Sequence, residues 1–455
     1  MPPCPRILVV GGGAVGMNVA LRLQRRLRPG EAEVTVVDTT GYLTYQPFLP
    51  EAAAGSLEPR HVVVPLRRVL RRSRVVTGTV TAIRHADRVA HVELPDGEGF
   101  DLSYDVLVCC PGSVARALAI PGLGEVGIGF KTVAEAIYLR NRVLRRLELA
   151  ASTPDPATRA RALTFVFVGG GYAGIEALAE LESMARDALR FFPGLDRRDL
   201  RWVLVEATDR ILPEVSAGLG RSTLEQLRRR GIDVRLGTRL RSAVGGHVVL
   251  DDGTELDADT LVWTAGVRAH PLVERSDLPR DERGRIRVAA DLAIDGADDA
   301  WAAGDSAAVP DLTGPPGATC APSAQHAVRQ AVRLADNLVA SLRGEPTVPY
   351  RHAYVGSVAS LGLYRGAAEL YGVRIRGFPA WWLHRTYHLA RLPTWNRRLR
   401  VIADWTLALL FRREIVSLGE FANPRRDFRL AAELAGTGDG PAARDPQGES
   451  PTATT

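Results

Sequence analysis

Three glycines and one acid near the start of the chain have the residue types and spacing that bind a dinucleotide. Gly11, Gly13 and Gly16 follow an apolar run, and Asp38 ends a second apolar run 22 residues after the last glycine. In this pattern the first glycine permits a tight turn, the second lets the backbone approach a pyrophosphate, and the third lets a helix pack closely on a strand. The helix N-terminus offers free N–H groups to the anion, and Asp38 can accept a hydrogen bond from a ribose. A lone glycine motif is weak evidence, but here strand, helix and acid agree.

A second copy of the pattern begins about 160 residues later. The glycines of this second motif are Gly169, Gly171 and Gly174. Glu206 ends the apolar run that follows this motif. The ends of the two copies also match, because each has a turn, then an apolar run, then a glycine, which is Gly112 in the first copy and Gly266 in the second. The chain is therefore a duplicated module, and we expect it to bind two dinucleotides.

Glu206 indicates which nicotinamide dinucleotide the second module prefers. A carboxylate at this position accepts hydrogen bonds from the ribose 2′-OH and repels a 2′-phosphate. We therefore expect NADH to be favoured over NADPH, although Arg210 lies close enough in sequence to work against this preference.

The elements that position these residues predict an α/β fold with two Rossmann-like dinucleotide-binding domains, the second inserted in the first, and a C-terminal amphipathic helical region. In two-dinucleotide flavoproteins a glycine-aspartate step approaches the ribityl and pyrophosphate part of FAD, so we expect Gly304 and Asp305 to return the chain to the first module. We expect residues 1–120 and 285–345 to form the FAD-binding domain and residues 121–284 the NADH-binding domain. Residues 346–430 form a membrane-associating region, followed by a disordered tail over residues 431–455.

Composition sets limits on other functions. The 455 residues are 46% hydrophobic and 24% charged, as in an ordinary folded protein, with a formal charge of +6. The four cysteines show no metal-ligand spacing, so we expect a reduced chain without a metal. We also expect no nucleic-acid partner, no signal peptide and no apolar run of the roughly 20 residues that a membrane span requires.

The loop after Asp38 bears on the electron acceptor. In flavin disulfide reductases this neighbourhood carries a redox cysteine pair, but residues 41–57 contain no cysteine. The sequence therefore favours a flavin that passes electrons directly to a small or diffusible acceptor. Gln46 either places a polar group near the isoalloxazine or belongs to an unremarkable loop. Glu176, which we expect in the first turn of the second module's helix, either stabilises that helix or lies near nicotinamide and flavin.

The C-terminal region predicts two basic amphipathic helices. Residues 374–430 hold twelve arginines against four acids. His384, His388 and Arg391 share one stripe of the first helix, and tryptophans border the apolar faces, as in interfacial membrane helices. The alternative is that the two helices pack on the rest of the protein or on a second subunit. Both could hold, with one helix face toward the membrane and the other toward protein.

Taken together, these motifs resemble the type II NADH dehydrogenases, which are single-subunit, non-proton-pumping NADH:quinone oxidoreductases. The resemblance runs from about Arg6 to Leu418 and is most specific at Tyr42–Phe48, Gly169–Glu176, Gly304-Asp305 and Ala324–Gln330. It implies FAD in the first domain, NADH in the second and a membrane quinone as acceptor. It also implies a homodimer, an anionic lipid surface as partner, and a peripheral position on the cytoplasmic face of the cell membrane.

The resemblance also implies roles for individual residues. Glu176 and Gln325 are expected around the flavin ring, and Gln325, Arg329 and Gln330 are expected to contact the quinone. The family usually has glutamine where Arg329 stands, which makes this pocket more cationic than usual. The sequence departs from the family at two further places. The second glycine motif of the family usually continues with proline and threonine, where Tyr172-Ala173 stands, and its first module usually has a small residue and Leu or Thr before the glycine, where Cys110-Pro111-Gly112 stands. Both differences concern residues expected near the cofactors.

The implied reaction passes hydride from NADH to flavin and then two electrons to the quinone, with His326 as a candidate proton donor. One alternative is a flavin reductase of another acceptor, either an iron–sulfur protein or sulfide feeding the quinone pool. Sulfide chemistry would need cysteines on both sides of the flavin, and only Cys320 is a candidate. Another alternative is a flavin redox sensor of low turnover.

Overall fold

The computed structural model describes residues 4–352, 356–411 and 413–417. Residues 1–415 belong to one compact unit and residues 416–455 to a second, of which only residues 416 and 417 are described. The predicted disordered tail therefore lies outside the described residues.

The first stretch of chain forms the larger part of the first module. Its strands are β1 (Arg6–Val10), β2 (Glu33–Asp38), β3 (Tyr42–Thr44), β4 (Val63–Pro65), β5 (Arg74–Thr77), β6 (Thr79–Arg84), β7 (Val89–Glu93), β8 (Gly99–Ser103), β9 (Val106–Cys109) and β10 (Ser113–Ala115). Its α-helices are α1 (Ala14–Arg26), α2 (Leu49–Ala53) and α3 (Leu66–Val69).

The middle of the chain forms the second module. Its strands are β11 (Gly127–Ile128), β12 (Thr164–Val168), β13 (Arg201–Glu206), β14 (Asp233–Leu236), β15 (Leu240–Ser242), β16 (His247–Leu250), β17 (Glu255–Asp257), β18 (Thr260–Trp263) and β19 (Val267–Ala269). Its α-helices are α4 (Leu123–Val126), α5 (Val133–Ser152), α6 (Pro156–Ala162), α7 (Tyr172–Ala188) and α8 (Ala217–Arg229).

The last described stretch completes the first module and adds the C-terminal region. Its strands are β20 (Ile286–Arg287), β21 (Ala300–Ala302), β22 (Ala307–Ala308), β23 (Gly356–Ser360), β24 (Gly366–Leu370) and β25 (Val373–Arg376). Its helices are α9 (Ala324–Leu342), α10 (Phe378–Arg391) and α11 (Trp395–Phe411).

Two parallel sheets of the same design confirm the duplication. The strand order is β21-β9-β1-β2-β5 in the first sheet and β11-β18-β12-β13-β14 in the second. The central strands are buried on both faces, which is why they read as unbroken apolar runs. Strand β21 follows every strand of the second sheet in sequence, so the second module is inserted in the first. The exact domain bounds stay predictions.

Each module is completed by elements on its sheet. Helix α1 packs along α9, where Arg22 binds Asp336 at 3.0 Å, and thereby ties the returning chain to the first glycine motif. A three-stranded antiparallel sheet belongs to each module, β6-β7-β8 in the first and β15-β16-β17 in the second. Strand β10 pairs with β19 antiparallel, with Ser113 opposite Ala269, so the two modules share a short ladder.

The C-terminal region packs on both modules. Strands β23, β24 and β25 form an antiparallel sheet against which α10 lies. Two residues of the predicted polar stripe of α10 face inward, because His384 is buried and His388 contacts Tyr45, whereas the third, Arg391, is exposed. Arg385, which was not in the predicted stripe, is also buried. Within the described ranges, no helix is both long and apolar enough to cross a membrane.

Candidate functional site

The first glycine motif has an open face where a ligand could approach. Gly11 has φ +93°, and a Cβ there would lie 2.6 Å from the Cys110 carbonyl oxygen. A Cβ on Gly16 would overlap the Gly11 carbonyl. A Cβ on Gly13, by contrast, would meet nothing within 4 Å. The protein's own packing therefore explains two of the glycines, and the space over Gly13, at the N-terminus of α1, fits a pyrophosphate.

The second motif repeats this geometry. Gly169 has φ +116° and lies close to the Thr264 backbone, and Gly174 lies against the Gly169 carbonyl. A Cβ on Gly171 would meet only a Glu214 oxygen, at 3.9 Å. The N-terminus of α7 is thus as open as that of α1, and each module carries one phosphate cradle.

The two acids are held in the same way beside these cradles. Asp38 accepts hydrogen bonds from the Gly12 and Gly41 N–H groups, at 2.8 and 3.0 Å. Glu206 accepts from the Gly170 and Thr208 N–H groups, at 2.6 and 2.8 Å. An ionised carboxylate has about four acceptor positions. Thr40 and Thr208 donate further hydrogen bonds, but to Asp38 Oδ1 and Glu206 Oε1. Among the described residues, Asp38 Oδ2 and Glu206 Oε2 each accept one hydrogen bond, so each has room for a ribose hydroxyl.

Arg210 is turned away from Glu206. Its Nη2 donates to the carbonyl oxygens of Leu212, Pro213 and Val215 at 3.3, 2.8 and 2.5 Å. The guanidinium is therefore committed to the backbone and is not free to pair with a 2′-phosphate. This arrangement supports the predicted preference for NADH.

The loop at Gly304 and Asp305 completes the first cradle. Gly304 has φ +76° and approaches Val15 of α1, so the loop lies against the helix that follows the first glycine motif. Asp305 accepts a hydrogen bond from Ser113 Oγ at 2.6 Å. The Gly304 N–H donates to Gln330 Oε1 at 2.8 Å. The side chain of Gln330, a predicted quinone contact, is thus buried and accepts a hydrogen bond from the loop at Gly304 and Asp305.

Lys131 joins this loop although sequence reasoning gave it no role. Its Nζ lies 2.5 Å from both the carbonyl oxygen and the Oγ of Ser113, which in turn binds Asp305. Burial lowers the pKa of Lys131, against the opposing effects of Asp305 and Glu135. Its status as the chain's only lysine was the one signal that could have marked it.

Two glycine loops flank the ladder between the modules. Gly112 and Gly266 have φ +76° and +85°, a conformation that favours glycine. The Gly112 carbonyl accepts from the His270 N–H, and the Gly266 carbonyl accepts from the Arg116 N–H. The loop at Gly112 is therefore hydrogen-bonded to a residue that follows β19, and the loop at Gly266 to a residue that follows β10.

Glu176 lies deeper than the sequence suggested. Helix α7 begins at Tyr172, so Glu176 is its fifth residue, and the first turn contains no acid. The expectation of a first-turn position was therefore wrong by one turn, which weakens the helix-dipole explanation because that effect is confined to the first turn. Glu176 is buried, and its Oε1 accepts from the Ser360 N–H at 2.9 Å.

The inward face of α10 brings polar groups to Glu176 and to the loop at Gln46. His384 Nε2 lies 3.4 Å from Glu176 Oε1. His388 Nδ1 lies 3.1 Å from the Tyr45 hydroxyl, and Tyr45 immediately precedes the exposed Gln46. The sequence had placed the two histidines on one stripe without a role, because helical periodicity does not say which protein groups that stripe will meet.

The start of α9 forms a cationic cluster. Gln325 Nε2 donates to the Gly356 carbonyl at 3.4 Å, and Arg329 Nη1 lies 3.4 Å from Gln325 Oε1. Arg329 Nη1 also lies 2.7 Å from His352 Nδ1. Burial, followed by Arg329 and His326, lowers the pKa of His352 to about 4. The structure thus brings Gln325 and Arg329 together, while His326 donates to or accepts from Tyr350 at 2.9 Å.

The thiols are not arranged for redox exchange. Burial raises the pKa of Cys109 to about 12 and that of Cys320 to about 11. Cys110 Sγ lies against the Val10 carbonyl, and the described cysteines are all free. Because the thiolate is the reactive form, these groups are poor nucleophiles at neutral pH.

Comparisons with known proteins agree with this geometry. Residues 5–331 match the pyridine nucleotide-disulphide oxidoreductase family. A type II NADH:quinone oxidoreductase of Mycobacterium tuberculosis is 30% identical over 455 residues, covering 96% of this chain and 96% of that protein. A type II NADH:quinone oxidoreductase of Staphylococcus saprophyticus is 31% identical over 378 residues, covering 82% and 91%.

A solved structure supports the architecture. NDH2 from Plasmodium falciparum in complex with NADH has a TM-score of 0.83 at 16% identity, over 90% of this chain and 99% of that one. At this identity the likeness speaks for the fold alone. It confirms the expected fold class, in which two dinucleotide modules are followed by C-terminal helices.

Proposed function

Because the chain belongs to the pyridine nucleotide-disulphide oxidoreductase family, and within it to the type II NADH:quinone oxidoreductases, we propose that it oxidises NADH and reduces a membrane quinone without pumping protons. The observation that carries this proposal is the pair of open glycine cradles, each with its own acid, joined by one ladder. Two such cradles serve a reaction that brings two dinucleotides together.

The first module binds FAD. Gly13 and the N-terminus of α1 receive the pyrophosphate, Asp38 the ribose, and the loop at Gly304 and Asp305 approaches from α9. When bound, FAD accepts hydride from a nicotinamide and passes electrons to a quinone. The chain itself supplies orientation, since the loop is fixed from two sides by Gln330 and Ser113.

The second module binds NADH. Gly171 and the N-terminus of α7 face the pyrophosphate, and Glu206 faces the ribose. The carboxylate repels a 2′-phosphate, and Arg210 is bound to carbonyls, so neither side chain favours NADPH.

The acceptor is a diffusible molecule rather than a thiol. Residues 41–57 contain no cysteine, and the buried thiols of Cys109 and Cys320 have raised pKa values. Gln325 and Arg329 form the quinone end of the site, and Arg329 beside His352 gives that end a cationic character.

The outer face of α10 and α11 binds the membrane. Large apolar side chains on this face are exposed, namely Trp382, Trp395, Leu399, Ile402, Leu409, Leu410 and Phe411. Each contributes about 1.5–3 kcal/mol when it leaves water. An interfacial helix pair of this kind needs no membrane-crossing segment.

A cluster of arginines beside α11 selects an anionic surface. Arg68 and Arg400 both donate to Asn396 Oδ1, at 3.5 and 3.3 Å. Burial, followed by Arg400 and Arg68, lowers the pKa of Arg397. Within the part of the chain that the structure describes, none of these three arginines forms an ion pair, and lipid phosphates would supply the missing charge. Anionic lipids enrich the cytoplasmic leaflet, which supports a cytoplasmic position.

Two finer parts of this proposal need their own measurements. Proteolysis of inside-out and right-side-out vesicles will show which face the protein occupies, and cleavage only in right-side-out vesicles contradicts a cytoplasmic position. Mass photometry in mild detergent will test the proposed homodimer, and particles of 49.2 kDa alone contradict it.

Anaerobic stopped-flow absorbance tests the reaction itself. The FAD-loaded protein should bleach rapidly with NADH, slowly with NADPH, and recover its colour when mixed with a soluble quinone. Bleaching without recovery would keep the reductase activity and reject the quinone as acceptor. Failure to bleach with NADH would reject the proposed function altogether.

A further inference from the structure

A buried histidine on α10 has one nitrogen that the protein leaves without a partner. His384 is only 1% exposed, and its Nε2 faces Glu176 Oε1 at 3.4 Å. Its Nδ1 is also buried, but it makes no hydrogen bond to any described residue. A buried polar atom without a partner destabilises the folded protein. The unpaired Nδ1 of His384 therefore indicates that a polar group of a bound molecule supplies its hydrogen-bond partner.

This histidine lies between the two modules. Glu176 belongs to α7 of the second module, whereas Tyr45 belongs to the loop that carries Gln46 in the first. The rings of His384 and His388 meet edge to face, with centroids 4.6 Å apart, and His388 in turn reaches the Tyr45 hydroxyl at 3.1 Å. His384 and His388 are thus in ring contact, and His388 and Tyr45 share a hydrogen bond, between residues expected on either side of the reacting rings.

The proposed reaction needs a proton from such a group. NADH gives two electrons and one hydrogen nucleus as hydride. A quinone needs two electrons and two protons to become a quinol. One proton must therefore come from the protein, and ultimately from solvent, for each turnover.

On the premise of the proposed function, we propose that His384 donates this proton to a quinone oxygen. The new O–H bond forms as the Nδ1–H bond of the imidazolium breaks, while the two electrons and the other hydrogen nucleus originate from NADH. Glu176 positions the ring through Nε2. His384 then regains a proton that comes ultimately from solvent.

The charged groups around His384 fit this role. Glu176 faces it from α7, and Glu180, one turn further on, binds Ser360 Oγ at 2.8 Å. Arg413 lies 3.5 Å from Glu180 Oε2, so Glu180 is paired with a cation, whereas Glu176 faces the imidazole.

The neighbouring histidines are less suited to donate. Burial, followed by His384 and Arg391, lowers the pKa of His388 well below its ordinary value, so His388 is neutral at pH 7. A neutral imidazole can still relay a proton, because one nitrogen accepts while the other donates. His326, the earlier candidate, is bonded to Tyr350 and its pKa is lowered by burial.

The test is His384→Gln in the FAD-loaded, full-length protein. Reoxidation by a soluble quinone at pH 6.5 should slow by at least about 100-fold, the usual contribution of a general acid. Reoxidation by ferricyanide, which takes electrons without protons, should change less than about threefold, as should reduction by NADH. The quinone step should depend on pH in the wild type, because a proton is consumed in it, and should lose this dependence in the variant.

A measurement without turnover gives an independent reading. In ¹⁵N NMR of histidine-labelled oxidised protein, adding a quinol should shift the His384 Nδ1 signal, and the shift should vanish in His384→Gln. If that variant does not retain FAD, Glu176→Gln serves instead. Removing the carboxylate should slow reoxidation by quinone and leave reoxidation by ferricyanide nearly unchanged, because His384 loses the group that positions its ring.

The controls separate the possible failures. His326→Gln, the same change at a half-buried histidine, should keep the wild-type pH profile. Equal slowing with quinone and ferricyanide, or an unshifted Nδ1 signal, would assign His384 to packing and overturn the inference. A wild-type protein that reacts with NADH but with no quinone would instead overturn the proposed function.

Discussion

Arg385 binds the carboxylate of Glu51 at 2.7 Å, where both side chains are buried and Glu51 is only 1% exposed. Trp405 Nε1 also donates to Glu51, at 2.9 Å. The guanidinium lies over the rings of Trp381 and Trp405, 4.0 and 4.6 Å from their centroids. One charged pair therefore connects α2 of the first module with both C-terminal helices.

Removing the cation of this pair should be costly. Arg385→Met would leave a buried carboxylate without its partner, and we expect a loss of about 3–5 kcal/mol in the free energy of unfolding. Chemical denaturation of the FAD-loaded protein measures this loss. The matched control is Arg6→Met, whose pair with Asp105 is exposed and should contribute at most about 1 kcal/mol. Equal losses in both variants would contradict a special role for the buried pair.

The open space over Gly13 predicts a cofactor defect without a folding defect. Gly13→Ala adds a methyl group that meets no protein atom within 4 Å, so the apoprotein should lose less than about 1 kcal/mol. The methyl group should nevertheless block the pyrophosphate, and the purified protein should contain little FAD. Gly171→Ala is the counterpart in the second module and should keep its FAD while raising KM for NADH. Normal FAD content in Gly13→Ala would contradict the assignment of the first cradle.

The acid of the second module sets the cofactor preference. Glu206→Ala should raise KM for NADH by about tenfold or more, because a charged hydrogen bond contributes roughly 1.5–3 kcal/mol. The preference for NADH over NADPH should narrow, since the repulsion of the 2′-phosphate is lost. Steady-state kinetics with both nucleotides give the result. An unchanged preference would remove Glu206 from the ribose site.

The outer face of α10 and α11 should lose its affinity for membranes when its exposed apolar residues are replaced. Trp395 and Leu399 are 74% and 61% exposed, so the double change to serine should leave the fold intact. Binding to phosphatidylglycerol vesicles should weaken by at least about 100-fold, from about 1.5–3 kcal/mol per side chain. Phe191→Ser, at a 61% exposed site of the second module, should sediment with vesicles as the wild type does. Equal binding to phosphatidylcholine vesicles would contradict the role of the arginines.

A partly buried ion pair should make stability depend on acid pH. Hydrogen bonds from Arg343 lower the pKa of Glu31 from 4.5 to about 2. A carboxyl whose pKa falls on folding adds stability above its unfolded pKa and loses it as pH falls toward 2. Arg343→Met should therefore destabilise the protein at pH 7 and have almost no effect at pH 2. Denaturation at both values measures this, with Arg60→Met, at an exposed pair, as the control. A constant cost at all pH values would assign the effect to packing.

The glycine motifs predicted most of the fold because their chemistry is local. Turn, helix and terminal acid lie within about forty residues of each other in each module, so spacing alone indicates the geometry. Glu206 and Asp38 were identified in this way, and both are held by the glycine turn of their own module. The placement of each site residue toward its ligand stays a prediction.

Contacts between distant segments could not be read from sequence. His384 and Glu176 are far apart in the chain, and the periodicity of α10 gave the polar stripe but not its direction. Glu51 and Arg385 likewise meet only because α10 lies on the first module. Glu176 itself was placed one turn too early, because the glycine turn ends at Gly171 and the helix begins only at Tyr172.

Because Lys131 is the single lysine of the sequence, it can be labelled selectively. Because no other lysine occurs in the chain, a reagent that acylates side-chain amines has a single target in the folded protein. That target is bonded to Ser113, and Ser113 to Asp305. Its labelling rate will therefore report how firmly Lys131 is held at Ser113, with no engineered tag.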